Sequence, residues 1–315
     1  MSTESILVRG LGPVATTAIV VGNVIGTGVF LKSRVMTCNV GTPGRVITVW
    51  IVAGLLSLAG ALTYAELAAM WPRAGGEYVF IRNAYNGRLA FLFGWMRFFA
   101  SGAGSLAALA VGFAIFLNVL TTGSLDVTYF SVNVAGYPLP FGRLQLVALG
   151  AIAFLTTVNC ASVALGGKFA ITMTAIKVGS IVALGVGVLF FATGSWSNFL
   201  LQDNGGACEG VAGAARGGSA GFAAAMLGAL WAYNGWNEMT FVSGEVKNPQ
   251  RNIPVALVTG MIICMVLYVF VNTTYFYVLT PTDVASVLAT SSVAGVGMEN
   301  FLGGVGGGLV AGGVV

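Results

Sequence analysis

The chain has 315 residues, 57% of them hydrophobic and only 8% charged, with a mean hydropathy of +0.90 and a formal net charge of +4. Soluble domains carry roughly 25% charged residues, so this composition excludes a water-covered surface and leaves a polytopic helical membrane protein. Histidine is absent and the four cysteines (Cys38, Cys160, Cys208, Cys264) show no CxxC spacing, which removes the commonest general base and argues against a zinc or redox centre.

Residues 1–12 lack the apolar core and small-residue cleavage site of a secretory signal, so the first span does its own targeting. Apolar runs of about 20 residues mark membrane-spanning helices. They predict spans at 13–31, 46–70, 90–119, 144–161, 169–193, 221–242 and 255–279, and an apolar, Gly-rich run begins near Phe301 and reaches Val315. Placing the N-terminus in the cytoplasm puts Arg9, Arg73, Arg82, Arg88, Lys168, Lys247 and Arg251 inside, against Lys32, Arg34, Arg45, Arg143 and Arg216 outside. The excess has the sign of the positive-inside rule.

Span one carries its weakest point at half depth. In "VGNVIGTGVF" (21–30), Gly22, Gly26 and Gly28 fall within seven positions, and Gly is about the poorest non-proline residue for a helix interior. Span two holds Glu66 near its inner end, where a loop cation can pair with it. The polar, Pro/Gly-punctuated segment 71–87 follows. Arg97 lies near the inner end of span three and is expected to snorkel. Lys177 is deep in span five, where a charge costs roughly 2.5–3.5 kcal/mol and usually faces the bundle interior. Span six, "GFAAAMLGALWAYNGWNEMTFVSGEV", is interrupted at Tyr233-Asn234-Gly235, about as far along as span one is at Gly26-Thr27-Gly28. A second polar segment, 245–254, follows it.

A pair of Gly-interrupted spans at corresponding positions of two halves points to an inverted-repeat transporter with its site between them. Unwound backbone in hydrocarbon is tolerated only where it is buried in protein or lines a wet cavity. The N–H groups that open a half-helix suit a carboxylate, and the carbonyls that close the preceding one suit an ammonium. Together they describe a site for an α-amino acid. The alternative for Gly22-xxx-Gly26 is a notch for close helix packing. Trp231, Tyr233 and Trp236 flank the second break as gating or packing aromatics, with Trp231 read as the gate.

The motifs "VIGTGVF", "YAELAAMWPRAGGEYVFIRNAY", "AYNGWNE" and "EVKNPQRNIP" together resemble the amino acid–polyamine–organocation superfamily, and within it the L-type amino acid transporters, from about Gly10 to Thr280. The resemblance implies an all-α, leucine-transporter-like fold of five plus five inverted repeats working by alternating access. On that pattern 13–193 is the first repeat and 219–315 an incomplete second one, cut after the start of an eighth helix. The resemblance has the backbone N–H groups around Gly26, Thr27 and Gly28 holding the substrate carboxylate. The carbonyls of Val24, Trp231 and Asn234, beside Gly235, would hold the ammonium, and Asn237 is a polar residue near the site. Lys177 looks like the lysine that replaces a sodium ion, which implies sodium-independent transport by exchange or with protons. Members that pair with a glycoprotein heavy chain carry a cysteine between spans three and four. Residues 120–143 have none, so no disulfide-linked partner is expected. Cys38 and Cys208 both fall outside and can pair with each other. No enzyme activity, cofactor, metal or nucleic-acid partner is expected. The partners are an L-amino acid and the bilayer of the cell membrane. The competing reading is a non-transporting amino-acid-binding protein or an inactive remnant.

Overall fold

The computed structural model describes residues 7–121, 123–134, 137–288 and 292–302. Helix α1 (Pro13–Val24) opens on a proline, whose missing N–H costs nothing in a first turn. The chain leaves helical geometry at Ile25, and α2 (Gly28–Val40) resumes at an angle of 42°. Next come α3 (Pro43–Met70), α4 (Glu77–Ala84) and α5 (Gly87–Met96), with Asn86 capping α5 by accepting from two backbone N–H groups. Helix α5 runs through a π-helical stretch, Arg97–Gly102, into α6 (Ala103–Leu120). An antiparallel hairpin, β1 (Thr128–Val134) and β2 (Tyr137–Gly142), leads to α7 (Arg143–Ala161) and α8 (Val163–Phe191). Helix α9 (Gly218–Ala232) is followed by a 3₁₀-helical segment, Trp236–Glu245, that is kinked at Val242. The described chain closes with α10 (Pro249–Val278), α11 (Pro281–Ser286) and α12 (Val293–Leu302).

Among the described residues, five helical stretches are long and apolar enough to cross a membrane, and the bent pair α1–α2 makes a sixth. The fold is therefore the expected all-α polytopic one, with the hairpin as its small exception. The core lies where α1, α3, α8, α9 and α10 meet around Trp50, Tyr233, Tyr268 and Phe276. The interrupted spans cross-pair: α2 packs on α9, and α1 packs on the 3₁₀ helix. Two breaks at similar depth are thereby brought face to face.

Span one runs past its predicted end at residue 31, to Val40. The extension is polar, but Ser33, Arg34 and Asn39 are buried and each finds a distant partner, which hydropathy cannot register. Ser33 Oγ donates to Asn272 Oδ1 (2.6 Å), Arg34 to the Glu209 carbonyl (2.8 Å) and Asn39 Nδ2 to the Ala215 carbonyl (2.6 Å). Lys32 and Arg34 therefore sit on a helix, not in a loop. Cys38 and Cys208 form a disulfide with Cα atoms 5.7 Å apart, fastening the segment before α9 to the end of α2. Helix α12 starts at Val293, earlier than the predicted eighth span, most of which lies outside the described residues.

Two glycines shape the connection after α3. Gly75 and Gly76 both have positive φ (121° and 49°), and a Cβ on Gly76 would approach Thr240 Oγ1 to 2.8 Å. The Gly75 N–H donates to the Phe241 carbonyl (3.1 Å), so segment 71–87 closes over the 3₁₀ helix. Leu11 bridges Val246 in the same region, its N–H on the Glu245 carbonyl at 2.9 Å.

Candidate binding site at the two helix breaks

At the first break the last carbonyls of α1 lose their helical partners, as at any helix end. Two side chains from other spans reach them. Lys177 Nζ, from α8, donates to the Gly22 and Ile25 carbonyls, both at 3.1 Å, setting a cation on the negative end of the α1 dipole. The Tyr268 hydroxyl, from α10, lies 2.9 Å from the Val24 carbonyl and 3.0 Å from that of Ala232. One buried O–H thus joins the ends of α1 and α9. Helix α2 starts without any side-chain cap, its N-cap being Thr27, so its first N–H groups are left for another partner.

The second break is built on Gly235. Its φ of 112° is open to glycine, and a Cβ there would come within 2.7 Å of the Asn23 carbonyl. The Asn234 N–H folds back on the Trp231 carbonyl (3.2 Å). Tyr233 is wholly buried, its hydroxyl donating to the Trp50 carbonyl (3.2 Å). Its ring lies 4.9 Å from that of Tyr268, which in turn lies 5.1 Å from Trp50. Such tilted and edge-on aromatic packing makes a firm floor behind both breaks.

The anticipated residues fall as follows. Val24, Gly26, Thr27 and Gly28 form the first break, and Trp231, Asn234 and Gly235 the second, with contacts between the two. The three glycines of span one have different jobs. Gly22 is a packing notch, since a Cβ would strike Thr174 Oγ1. Gly28 is also a close contact, its Cβ position 2.7 Å from Ala232 Cβ. A Cβ on Gly26 would meet nothing within 4 Å, so space opens beside it. Trp231 is 56% exposed and stands beside Gly28 with its carbonyl already engaged. Asn237 turns toward segment 71–87, donating to Glu77 Oε1 (2.6 Å), which also accepts from Tyr64 (3.2 Å). Arg97 does not snorkel as expected. It pairs with Glu238 on the 3₁₀ helix and stands 4.9 Å from the Phe241 ring. Glu66 is exposed and makes no salt bridge among the described residues.

Sequence reasoning missed Tyr268. The available signal was a phenol inside the apolar run "MVLYVFVNTTYFYV", since a buried tyrosine hydroxyl usually has a partner. It also missed Glu77, whose partners come from two other elements. No group of His, Cys, Asp and Glu able to hold a metal occurs among the described residues.

The family model described as amino acid permease matches residues 11–315. The chain is 32% identical over 280 residues to the b(0,+)-type amino acid transporter 1 of Mus musculus, covering 88% of this chain and 53% of that protein. It is 30% identical over 288 residues to the large neutral amino acids transporter small subunit 2 of Oryctolagus cuniculus (88% and 49%). It is 27% identical over 279 residues to the serine/threonine exchanger SteT of Bacillus subtilis (88% and 57%). The chain spans about half the length of the curated relatives it matches.

Proposed function

This chain belongs to the amino acid permease family, and on that premise we propose that it serves the transport of L-amino acids across the cell membrane by alternating access. It is a multi-pass membrane protein, and the relatives it matches are amino acid transporters and exchangers, not enzymes. The observation that carries the proposal is the facing of the two helix breaks. Helix α2 begins uncapped beside open space at Gly26, and the carbonyl ends of α1 and α9 converge on one tyrosine hydroxyl.

In this reading the substrate carboxylate binds the N–H groups of Thr27 and Gly28, and its ammonium lies against the carbonyls of Val24, Trp231 and Asn234. A carbonyl has two lone pairs, so Val24 can accept from Tyr268 and from substrate together. Lys177 substitutes for a sodium ion by bonding the α1 carbonyls, which supports sodium-independent exchange or proton coupling. Asn237 acts from behind the site through Glu77. Repeats at 13–193 and 219–315, a cytoplasmic N-terminus and the absence of a disulfide-linked heavy chain complete the proposal. The last is supported by a segment 120–143 without cysteine. Counterflow in proteoliposomes with the full-length protein tests it. Sodium-independent exchange of labelled L-amino acid is the expected result. Binding without exchange would establish the non-transporting alternative.

A further inference from the structure

A cation stands beside the breaks without a salt bridge among the described residues. Lys32 lies one turn beyond Gly28 on α2, and its Nζ is 4.5 Å from the centroid of the Trp231 ring. The same ring borders Gly28, where a Cβ would lie 3.4 Å from Trp231 Cζ3. The Lys32 stem runs along α9, its Cδ 3.8 Å from the Cβ position of Gly228. The ring and the stem contact therefore hold the ammonium in place, while Trp231 as a residue remains 56% exposed. Among the described residues Lys32 forms no salt bridge.

An aromatic face attracts a cation through its quadrupole but supplies no counter-charge. The ring therefore holds the Lys32 ammonium without supplying it a counter-ion. Two further positive elements lie close by: the uncapped N-terminus of α2, worth roughly half a charge, and Lys177 on the α1 carbonyls. Of the carboxylates on the second-break side, Glu238 is paired with Arg97, while Glu77 accepts from the neutral Tyr64 and Asn237 and makes no bond to Lys32. An α-carboxylate is answered by the α2 N-terminus. A cationic side chain directed toward Lys32 on the same substrate meets like charge.

We propose that Lys32, held over Trp231, is a charge filter that rejects amino acids with cationic side chains and admits neutral and anionic ones. This rests on the reading that the substrate occupies the two breaks. A unit charge roughly 10 Å away, at an effective dielectric of about 20, changes affinity on the order of tenfold.

The test uses side-chain pairs of similar shape and different charge, L-arginine against L-citrulline and L-glutamate against L-glutamine, binding to the purified full-length protein in thermal-shift titrations. The wild type should bind citrulline at least about tenfold more tightly than arginine. K32Q should shrink that ratio several-fold and K32E should invert it, while K32R should leave it in place. K32M, which keeps the stem along α9, is measured alongside in case K32Q does not fold. A ratio unchanged in both K32Q and K32M overturns the filter, as does a wild type that does not distinguish arginine from citrulline. A uniform loss of affinity for all four ligands in K32Q also overturns it, assigning Lys32 to carboxylate binding. A wild type that responds to none of the twenty standard amino acids overturns the filter and the site reading together.

Discussion

Removing one oxygen atom from Tyr268 tests the junction of the two breaks. In Tyr268→Phe the ring keeps its place against Trp50 and Tyr233, but the Val24 and Ala232 carbonyls lose their shared donor. A buried acceptor stripped of its partner costs about 1–3 kcal/mol. Because the two carbonyls divide one proton, the combined loss is about 2 kcal/mol. The same helix supplies the control. Tyr275 is 3% exposed, and its hydroxyl meets no partner among the described residues. Tyr275→Phe deletes an unpaired buried hydroxyl and should recover on the order of 1 kcal/mol. The two variants differ by the same atom, yet their stabilities should differ by about 3 kcal/mol, roughly a hundredfold in the unfolding equilibrium. Reversible unfolding in mixed detergent–SDS micelles, followed by tryptophan fluorescence, measures both. If Tyr268→Phe proves as mild as Tyr275→Phe, the hydroxyl does not join the helix ends and the reasoning fails.

The glycines of the first break should separate by substitution. Gly28→Ala presses a methyl onto Ala232 and should destabilise by about 1–3 kcal/mol, whereas Ala232→Gly should cost less in the Gly28→Ala background than alone; strictly additive losses in the double variant refute the contact. Gly26→Ala projects into open space, so thermal stability should hold while amino acid binding falls at least tenfold, and unchanged affinity would remove Gly26 from the site. Lys177→Ala frees two carbonyls at the end of α1 and should slow proteoliposome exchange by tenfold or more. A wild-type rate across pH 5–9 would end its proposed role.

The breaks themselves were legible in the sequence, because a glycine cluster with polar neighbours inside an apolar run has few structural uses. Their pairing was legible too, from the similar depth of Gly26-Thr27-Gly28 and Tyr233-Asn234-Gly235. Which glycine does what was not. Gly22 and Gly26 look alike in one dimension, and only the presence of Thr174 beside one and space beside the other separates them. Tyr268 was hidden for the same reason, since span seven offers Tyr268, Tyr275 and Tyr277 and nothing local marks the one that reaches two other helices. The polar half of α2 was cut short because hydropathy scores each residue against solvent or lipid. Ser33, Arg34 and Asn39 answer to partners more than 170 residues away. Depth alone sends Arg97 to the interface, whereas its fate is set by Glu238, 141 residues on. Pairing across spans is what a linear reading lacks.

The Cys38–Cys208 bond closes a covalent ring of chain, with 170 positions separating its two sulfurs, and α3 through α8 hang within that ring. A protease that cuts any one peptide bond between them, the exposed hairpin included, releases nothing. The nicked protein migrates as a single species until a thiol reductant opens the ring, and only then do two fragments part.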